Sequence, residues 1–255
     1  MSAKNILLFA NMRPGLEICE YLVSSGENIV KLYLTNFESE NSKKIMDVCS
    51  ISNENIHLAS EIKNLEHIKQ LQKISIDYLI TVYWPYLIKS EVFNQAKSGT
   101  VNFHPALLPH NRGWYPQVHN ILDGSPAGVT LHSIDENADT GPIWAQKKVI
   151  VDEIDTAKTL HEKLQNEIIQ LFKEKWPEIK KGKITLTLQE ESKAKYHKKL
   201  EVDEFDYIDF SKDCKIDELL RLLRARSFGD KGFAYILKND KKIYLNLRLS
   251  YNNNF

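Results

Sequence analysis

Unbroken apolar runs alternate along this chain with stretches whose apolar residues recur every three or four positions. Asn5 to Ala10 (NILLFA) is a continuous run, and Ile29 to Thr35 (IVKLYLT) is rich in β-formers. Between them Leu16, Cys19, Leu22 and Val23 keep helical spacing, with Pro14 in the first turn and Gly26 just past the end. This pattern predicts a βαβ unit. A second helical stretch runs from Leu65 to Ile74, followed by the buried-strand pattern DYLITVYW, a short helix near Glu91 to Ala96, and the strand GTVNFH ending at His104. Such alternation implies an α/β fold on a mostly parallel sheet, whose ligands bind outside the carboxyl ends of the strands.

Further along, the pattern predicts a helix from Pro116 to Leu122, the turn DGSPAG, a strand from Gly128 to Ser133, the polar loop IDENADTGPI, and the strand IWAQKKVIV beside its predecessor. Ala157, Leu160, Leu164, Ile168 and Leu171 form a helical stripe over Ala157 to Lys175, capped by Asp155 or Thr156. Past Gly182 the apolar period is lost in LQEESKAKYHKKLEVDEFD, which reads as a linker. A short helix (Ile216 to Arg224) and a hairpin turning at Asn239 and Asp240 follow. The expected division is residues 1–182 as one domain and 183–255 as linker plus a small helix and β-hairpin element. A two-stranded hairpin is marginal alone, so it is expected to pack on the main domain or on a second copy of the chain.

Charge and cysteines narrow the picture. The 34 basic and 34 acidic side chains cancel to a formal net charge of +0 over 255 residues, so no global field draws the chain to nucleic acid or to an acidic membrane. Cys19, Cys49 and Cys214 are an odd count without CxxC spacing, which suits reduced thiols. The first apolar run is too short for a signal peptide or a membrane span, and the expected location is cytoplasmic.

The familiar cofactor motifs do not occur. FANMRPGLEI lacks G-x-G-x-x-G, and there is no P-loop, no H-E-x-x-H and no G-x-S-x-G. The eight histidines show no ligand-like pairing, so no metal is expected. ADTG at Ala138 to Gly141 occurs once in a βα chain, whereas aspartic protease chemistry needs two such aspartates and an all-β frame.

What remains is a polar set at strand ends. Asn102 and His104 are two apart on one strand and therefore share a face, and Asp139 lies in the loop leaving the next strand. A carboxamide can donate to a developing oxyanion, an imidazole can relay a proton, and a carboxylate can hold that imidazole in one tautomer. Together they fit acyl transfer to an amine. Singly, each also has an ordinary structural reading: a turn former, a satisfied His before proline, an Asx-turn residue.

NFHPALLPHNRG (Asn102 to Gly113) followed by HSIDENADTGPI (His132 to Ile143) resembles the 10-formyltetrahydrofolate-dependent formyltransferases. The resemblance spans roughly Ile6 to Lys175 and departs at Ala106, where the family usually has serine. It implies a Rossmann-like formyltransferase domain and a catalytic set of Asn102, His104 and Asp139. It also implies a folate co-substrate, 10-formyltetrahydrofolate, lying along Tyr83, Tyr86, Leu87 and Ile88 and the loop bearing Ile134 and Asn137.

Within that family, methionyl-tRNA enzymes carry a longer, basic C-terminal domain and glycinamide ribonucleotide enzymes stop near the end of the first. RLLRARSFGDKGFAYI and HNRGWYPQVHNILDG are similar to stretches of the nucleotide-sugar N-formyltransferases, with Gly229 where proline is common and His119 where tryptophan is usual. The implied acceptor is a dTDP-linked amino-dideoxyhexose, favoured as dTDP-4-amino-4,6-dideoxyglucose for O-antigen synthesis, with 3-amino or UDP-linked sugars as alternatives. Arg13 and Arg112 are diphosphate candidates, and Trp114, Tyr115 and Phe228 offer aromatic faces to a base or pyranose. The resemblance further implies a homodimer made through the terminal helix and hairpin. A formyltetrahydrofolate hydrolase or an idle binding protein are the rival readings.

Overall fold

The computed structural model describes residues 2–251. In chain order the elements are β1 (Asn5–Ala10), α1 (Met12–Ser24), β2 (Asn28–Leu34), α2 (Glu40–Cys49), β3 (Ile56–Leu58), α3 (Leu65–Leu71), β4 (Ile76–Val82), α4 (Ser90–Phe93) and β5 (Ala96–His104). Then come β6 (Arg112–Gly113), α5 (Pro116–Asp123), β7 (Gly128–His132), β8 (Ile143–Lys148), α6 (Ala157–Ile179), β9 (Tyr196–His197), α7 (Ile216–Ala225), β10 (Ser227–Phe228), β11 (Lys231–Gly232), β12 (Tyr235–Lys238) and β13 (Lys241–Tyr244). Seven strands form one sheet in the order β3-β2-β1-β4-β5-β7-β8. Strands β3 to β5 pair parallel, and β7 joins β5 antiparallel. The mostly parallel sheet expected from the alternation is present, in the Rossmann-like form that the resemblance implies.

The chain divides into two compact units interleaved in sequence. The first takes residues up to His104, then Thr130–Gln146 and Ile168–Gln189; the second takes Pro105–Val129, Lys147–Glu167 and the chain from Glu190 on. In the first unit Ile6 to Ala10 are fully buried, as an unbroken apolar strand covered on both faces must be. Phe9 stacks on Tyr33 at 4.5 Å within a core that includes Leu7, Ile68, Leu79 and Ile88. The α1 end is closed as expected around Gly26, whose N–H reaches the Val23 carbonyl while the Glu27 N–H reaches that of Leu22.

Two elements had no strong pattern. Helix α2 buries only Ser42, Ile45 and Cys49, too few for a legible stripe, and it is started by the Ser39 hydroxyl accepting the Ser42 N–H. Strand β3 is a three-residue edge. Helix α6 runs past the expected Lys175 to Ile179, and Thr156 is its cap: the Thr156 hydroxyl faces the Thr159 N–H, while Asp155 binds the Thr159 hydroxyl and Lys163. No helix among the described residues is long and apolar enough to cross a membrane.

In the second unit, the charged stretch after Glu190 is fastened down. β6 and β9 pair, and Gly113 permits it: a Cβ there would stand 2.4 Å from the His197 carbonyl oxygen. β12 and β13 make the expected hairpin, with Asn239 and Asp240 both at positive φ, the pairing a type I′ turn requires.

Candidate active site

Sheet register in the first unit brings the polar strand ends together. Thr81 at the end of β4 lies beside Asn102 of β5, and Asn102 lies opposite His132 of β7. These are the carboxyl ends of the strands, where α/β sheets bind ligands. The Thr81 hydroxyl donates to Asn102 Oδ1 at 2.5 Å, so the amide nitrogen is turned the other way. It faces His132 Nε2 at 2.8 Å and Asp139 Oδ1 at 3.4 Å.

The tautomer of His132 follows from its partners. Its Nδ1 lies 2.7 Å from the Ser133 carbonyl oxygen, which only accepts, so Nδ1 carries the proton and Nε2 accepts from Asn102. The Asp139 carboxylate lies between the two imidazoles: His104 Nδ1 and His132 Nε2 each stand 3.5 Å from Oδ1. Asn102 and His104 thus converge on one oxygen, as their two-residue spacing on a strand predicts. His104 and His132 are buried, and Asp139 is only slightly exposed.

Asp139 is held by its loop rather than by a regular element. Its φ is +58°. Asp135 Oδ1 accepts from the Asn137 N–H and the Thr140 hydroxyl, the Ile134 N–H donates to Thr100 Oγ1, and Gln189 Nε2 donates to the carbonyls of Asp139 and Gly141. Gly141 is dictated by close approach, since a Cβ there would lie 1.8 Å from the Ser133 carbonyl oxygen. Thr81, His132 and Gln189 escape a sequence reading because cross-strand register and a contact fifty residues away bring them in.

The residues expected at a folate divide by exposure. Tyr86 and Leu87 are open to solvent, the latter 70% exposed, while Ile88 lies in the first unit's core with Ile134 and Trp84 packed against it. Tyr83 has φ +51°, and burial pushes its hydroxyl pKa up. Asn137 is exposed in the Asp135 turn. Trp84 makes edge contacts with Phe9 and Tyr86, and its buried indole N–H has no partner among the described residues. Arg13, at the start of α1, pairs with Glu17 at 2.5 Å.

Arg112, Trp114, Tyr115 and Phe228 belong to the second unit. Arg112, expected at a diphosphate, has a buried guanidinium doubly bonded to the exposed Glu191 at 3.0 and 2.6 Å. That bond holds the Glu191 carboxyl below its ordinary pKa. Trp114 carries the Lys199 ammonium 4.8 Å above its ring. Tyr115 stands at φ +55° ahead of α5, and Phe228 is 5.8 Å from His161.

Comparison with known proteins agrees with this fold. The fold matches a sugar N-formyltransferase from Shewanella sp FDAARGOS_354 (TM-score 0.82, 23% identity, 98% of this chain and 99% of that one). It also matches a 4-N formyltransferase from Francisella tularensis (TM-score 0.80, 24% identity, 97% and 98% coverage). A third match is an N-formyltransferase from Helicobacter canadensis, solved with folinic acid and dTDP-3-aminofucose (TM-score 0.71, 20% identity, 95% and 86% coverage). Residues 201–251 match the N-formyltransferase dimerization C-terminal domain. Residues 35–175, more than half of the chain, match the formyl transferase family, and with the strand-end Asn, His and Asp inside that span the chain belongs to this family of enzymes.

Proposed function

We propose that this formyltransferase moves a formyl group from 10-formyltetrahydrofolate to the amine of a nucleotide-linked sugar, with Asn102, His104 and Asp139 as its catalytic set. The observation that carries the reading is the convergence of Asn102 Nδ2 and His104 Nδ1 on one Asp139 oxygen. The folate supplies the formyl carbon. Tyr83, Trp84, Tyr86, Leu87, Ile88 and Ile134 suit its ring system, being aromatic or apolar, while the Trp84 N–H and the exposed Asn137 amide offer polar contacts.

The geometry then divides the work. Asn102 has one good acceptor in His132 and one long contact to Asp139, so the second N–H is the one exchanged for the oxyanion that forms when the amine attacks. His104 turns Nδ1 to Asp139, which leaves proton exchange with the reacting groups to Nε2 and stabilises the ring when charged. The proton lost by the attacking amine is returned to the departing folate nitrogen. Thr81 and His132 fix the amide plane, so no reorientation is needed at the moment of reaction. Removing an oxyanion donor costs roughly 2.7–4 kcal/mol, so Asn102→Ala is expected to lose about a hundredfold or more in kcat while remaining folded. Near-normal turnover would remove Asn102 from the reaction.

For the acceptor we favour dTDP-4-amino-4,6-dideoxyglucose, in O-antigen synthesis, because the fold is shared along nearly the whole chain with a 4-N formyltransferase. A dTDP-3-amino sugar is the second reading, favoured by the Helicobacter canadensis complex. Residues 1–182 would carry catalysis and 183–255 a homodimer interface, a role supported by the dimerization match.

A further inference from the structure

Among the described residues, two groups of histidines and carboxylates lie outside the strand-end site, one in each unit, and they differ in what already occupies their nitrogens. In the first unit His57 and His67 flank Glu61, but the Lys31 ammonium sits 3.1 Å from His57 Nε2 and the Tyr33 hydroxyl takes His67 Nε2. A cation there would meet an ammonium. In the second unit one imidazole nitrogen, His119 Nε2, has no partner among the described residues, and no ammonium among them is bonded to either ring.

His119 of α5, His197 of β9 and Glu201 four residues later each offer a ligand atom within 4.8 Å of the others. The two imidazoles are 3% and 2% exposed and stack face to face at 3.4 Å. His119 Nε2 is buried and has no partner among the described residues, a loss that ordinarily costs about 1–3 kcal/mol. His197 is oriented from behind. Asn111 Nδ2 donates to the Ser125 hydroxyl at 2.8 Å, which leaves Asn111 Oδ1 to accept from His197 Nε2 at 3.1 Å. With the proton on Nε2, the Nδ1 lone pair points at Glu201 Oε1, 2.9 Å away. Two acceptors facing each other need a proton or a metal ion between them. A carbonyl oxygen fixing the far nitrogen of an imidazole is also the usual support of a metal-bound histidine.

A cavity of about 430 Å³ opens at these side chains, with Leu122, Phe205 and Leu222 on its walls. Its cations are already neutralised: Lys195 pairs with Asp123 at 2.6 Å and Arg221 with Asp217 at 3.1 Å. We propose that His119, His197 and Glu201 bind one divalent transition-metal ion, Zn²⁺ by preference, with its fourth position turned to this cavity. Two imidazoles and a carboxylate are a borderline donor set that suits Zn²⁺ and its surrogate Co²⁺ rather than Mg²⁺ or Ca²⁺. With Asn111 keeping His197 in place, the ion would draw the His119 ring out of its stack to bring a nitrogen to about 2.0–2.1 Å. The ion would tie α5 to the β9 segment.

The test uses the full chain, stripped with a chelator and titrated with Zn²⁺ against a chromophoric competitor, then with Co²⁺ while visible absorption is recorded. The expected result is one equivalent bound with Kd at or below about 1 µM, Co²⁺ bands of a four- or five-coordinate site, and a Tm raised by about 4 °C or more in excess Zn²⁺. Glu201→Gln and His119→Phe should each weaken Zn²⁺ at least about tenfold, whereas His57→Ala should leave it unchanged. Glu201→Gln preserves shape, so the test survives if His197→Ala fails to fold. Absence of saturable binding, or binding indifferent to Glu201→Gln and His119→Phe, would overturn the proposal and leave the His197–Glu201 contact as a plain hydrogen bond.

Discussion

The strand-end cluster of the first unit and the arginine and aromatic set of the second hold polar side chains in place by different means. Asn102, His104 and His132 stand on paired strands, so ladder register sets their positions before any side-chain bond forms. Arg112 and Trp114 lie on or beside a two-residue bridge, and their side chains are satisfied by Glu191 and Lys199 of the same unit. A side chain placed by backbone register can direct its polar atoms toward chemistry, while one placed by its own ion pair must give up that partner before it meets a ligand. Electrostatic preorganisation of the first kind is what catalysis of acyl transfer requires.

The most severe way to break this contrast is at the shared carboxylate. Asp139→Asn removes the charge facing His104 and should lower kcat by about 100-fold or more, with the acid–base limbs of the pH–rate profile altered. Gly141→Ala comes next. Its Cβ would collide with the Ser133 carbonyl, displacing the loop that carries Asp139, and turnover should fall by about tenfold or more with a reduced Tm. Thr81→Val leaves Asn102 Oδ1 without its donor and should cost about tenfold in kcat with little change in KM, whereas Thr81→Ser restores the rate. An unaffected Thr81→Val rate would show that register alone orients the amide.

Arg112→Ala probes the other side of the comparison. It should lower Tm by a few degrees and leave KM for the nucleotide-sugar within about twofold. A rise in KM of about tenfold would return Arg112 to a diphosphate.

The smallest expected effect is a pH dependence of stability at Glu27. Burial pushes this carboxyl up, but the Lys180 ammonium, the Lys4 N–H and the Trp176 indole outweigh it and bring its pKa below 4.5. The unfolded chain then binds the proton more readily, so stability falls as pH drops from 4.5 through the folded value. Melting curves between pH 6 and pH 3 should show this loss, and Glu27→Gln should flatten it.

Much of this was legible because strand patterns are short-range. The i, i+2 spacing of Asn102 and His104 and the loop at Asp139 could be read directly, as could the α1 and α6 stripes and the Asn239–Asp240 turn. Thr81 and His132 reach the site only through pairing between strands, and Gln189 reaches it from beyond the last helix of the first unit. Helix α2 carries too few apolar residues to announce itself. His119 and His197 are neighbours only once α5 and β9 are folded, so no spacing rule joins them.

Amine-dependent formyl transfer is tested by tetrahydrofolate release from 10-formyltetrahydrofolate with and without dTDP-4-amino-4,6-dideoxyglucose. Release should depend on the sugar and yield an N-formylated product in equal amount. Release at the same rate without any amine, with formate as the product, would contradict it and make the protein a hydrolase.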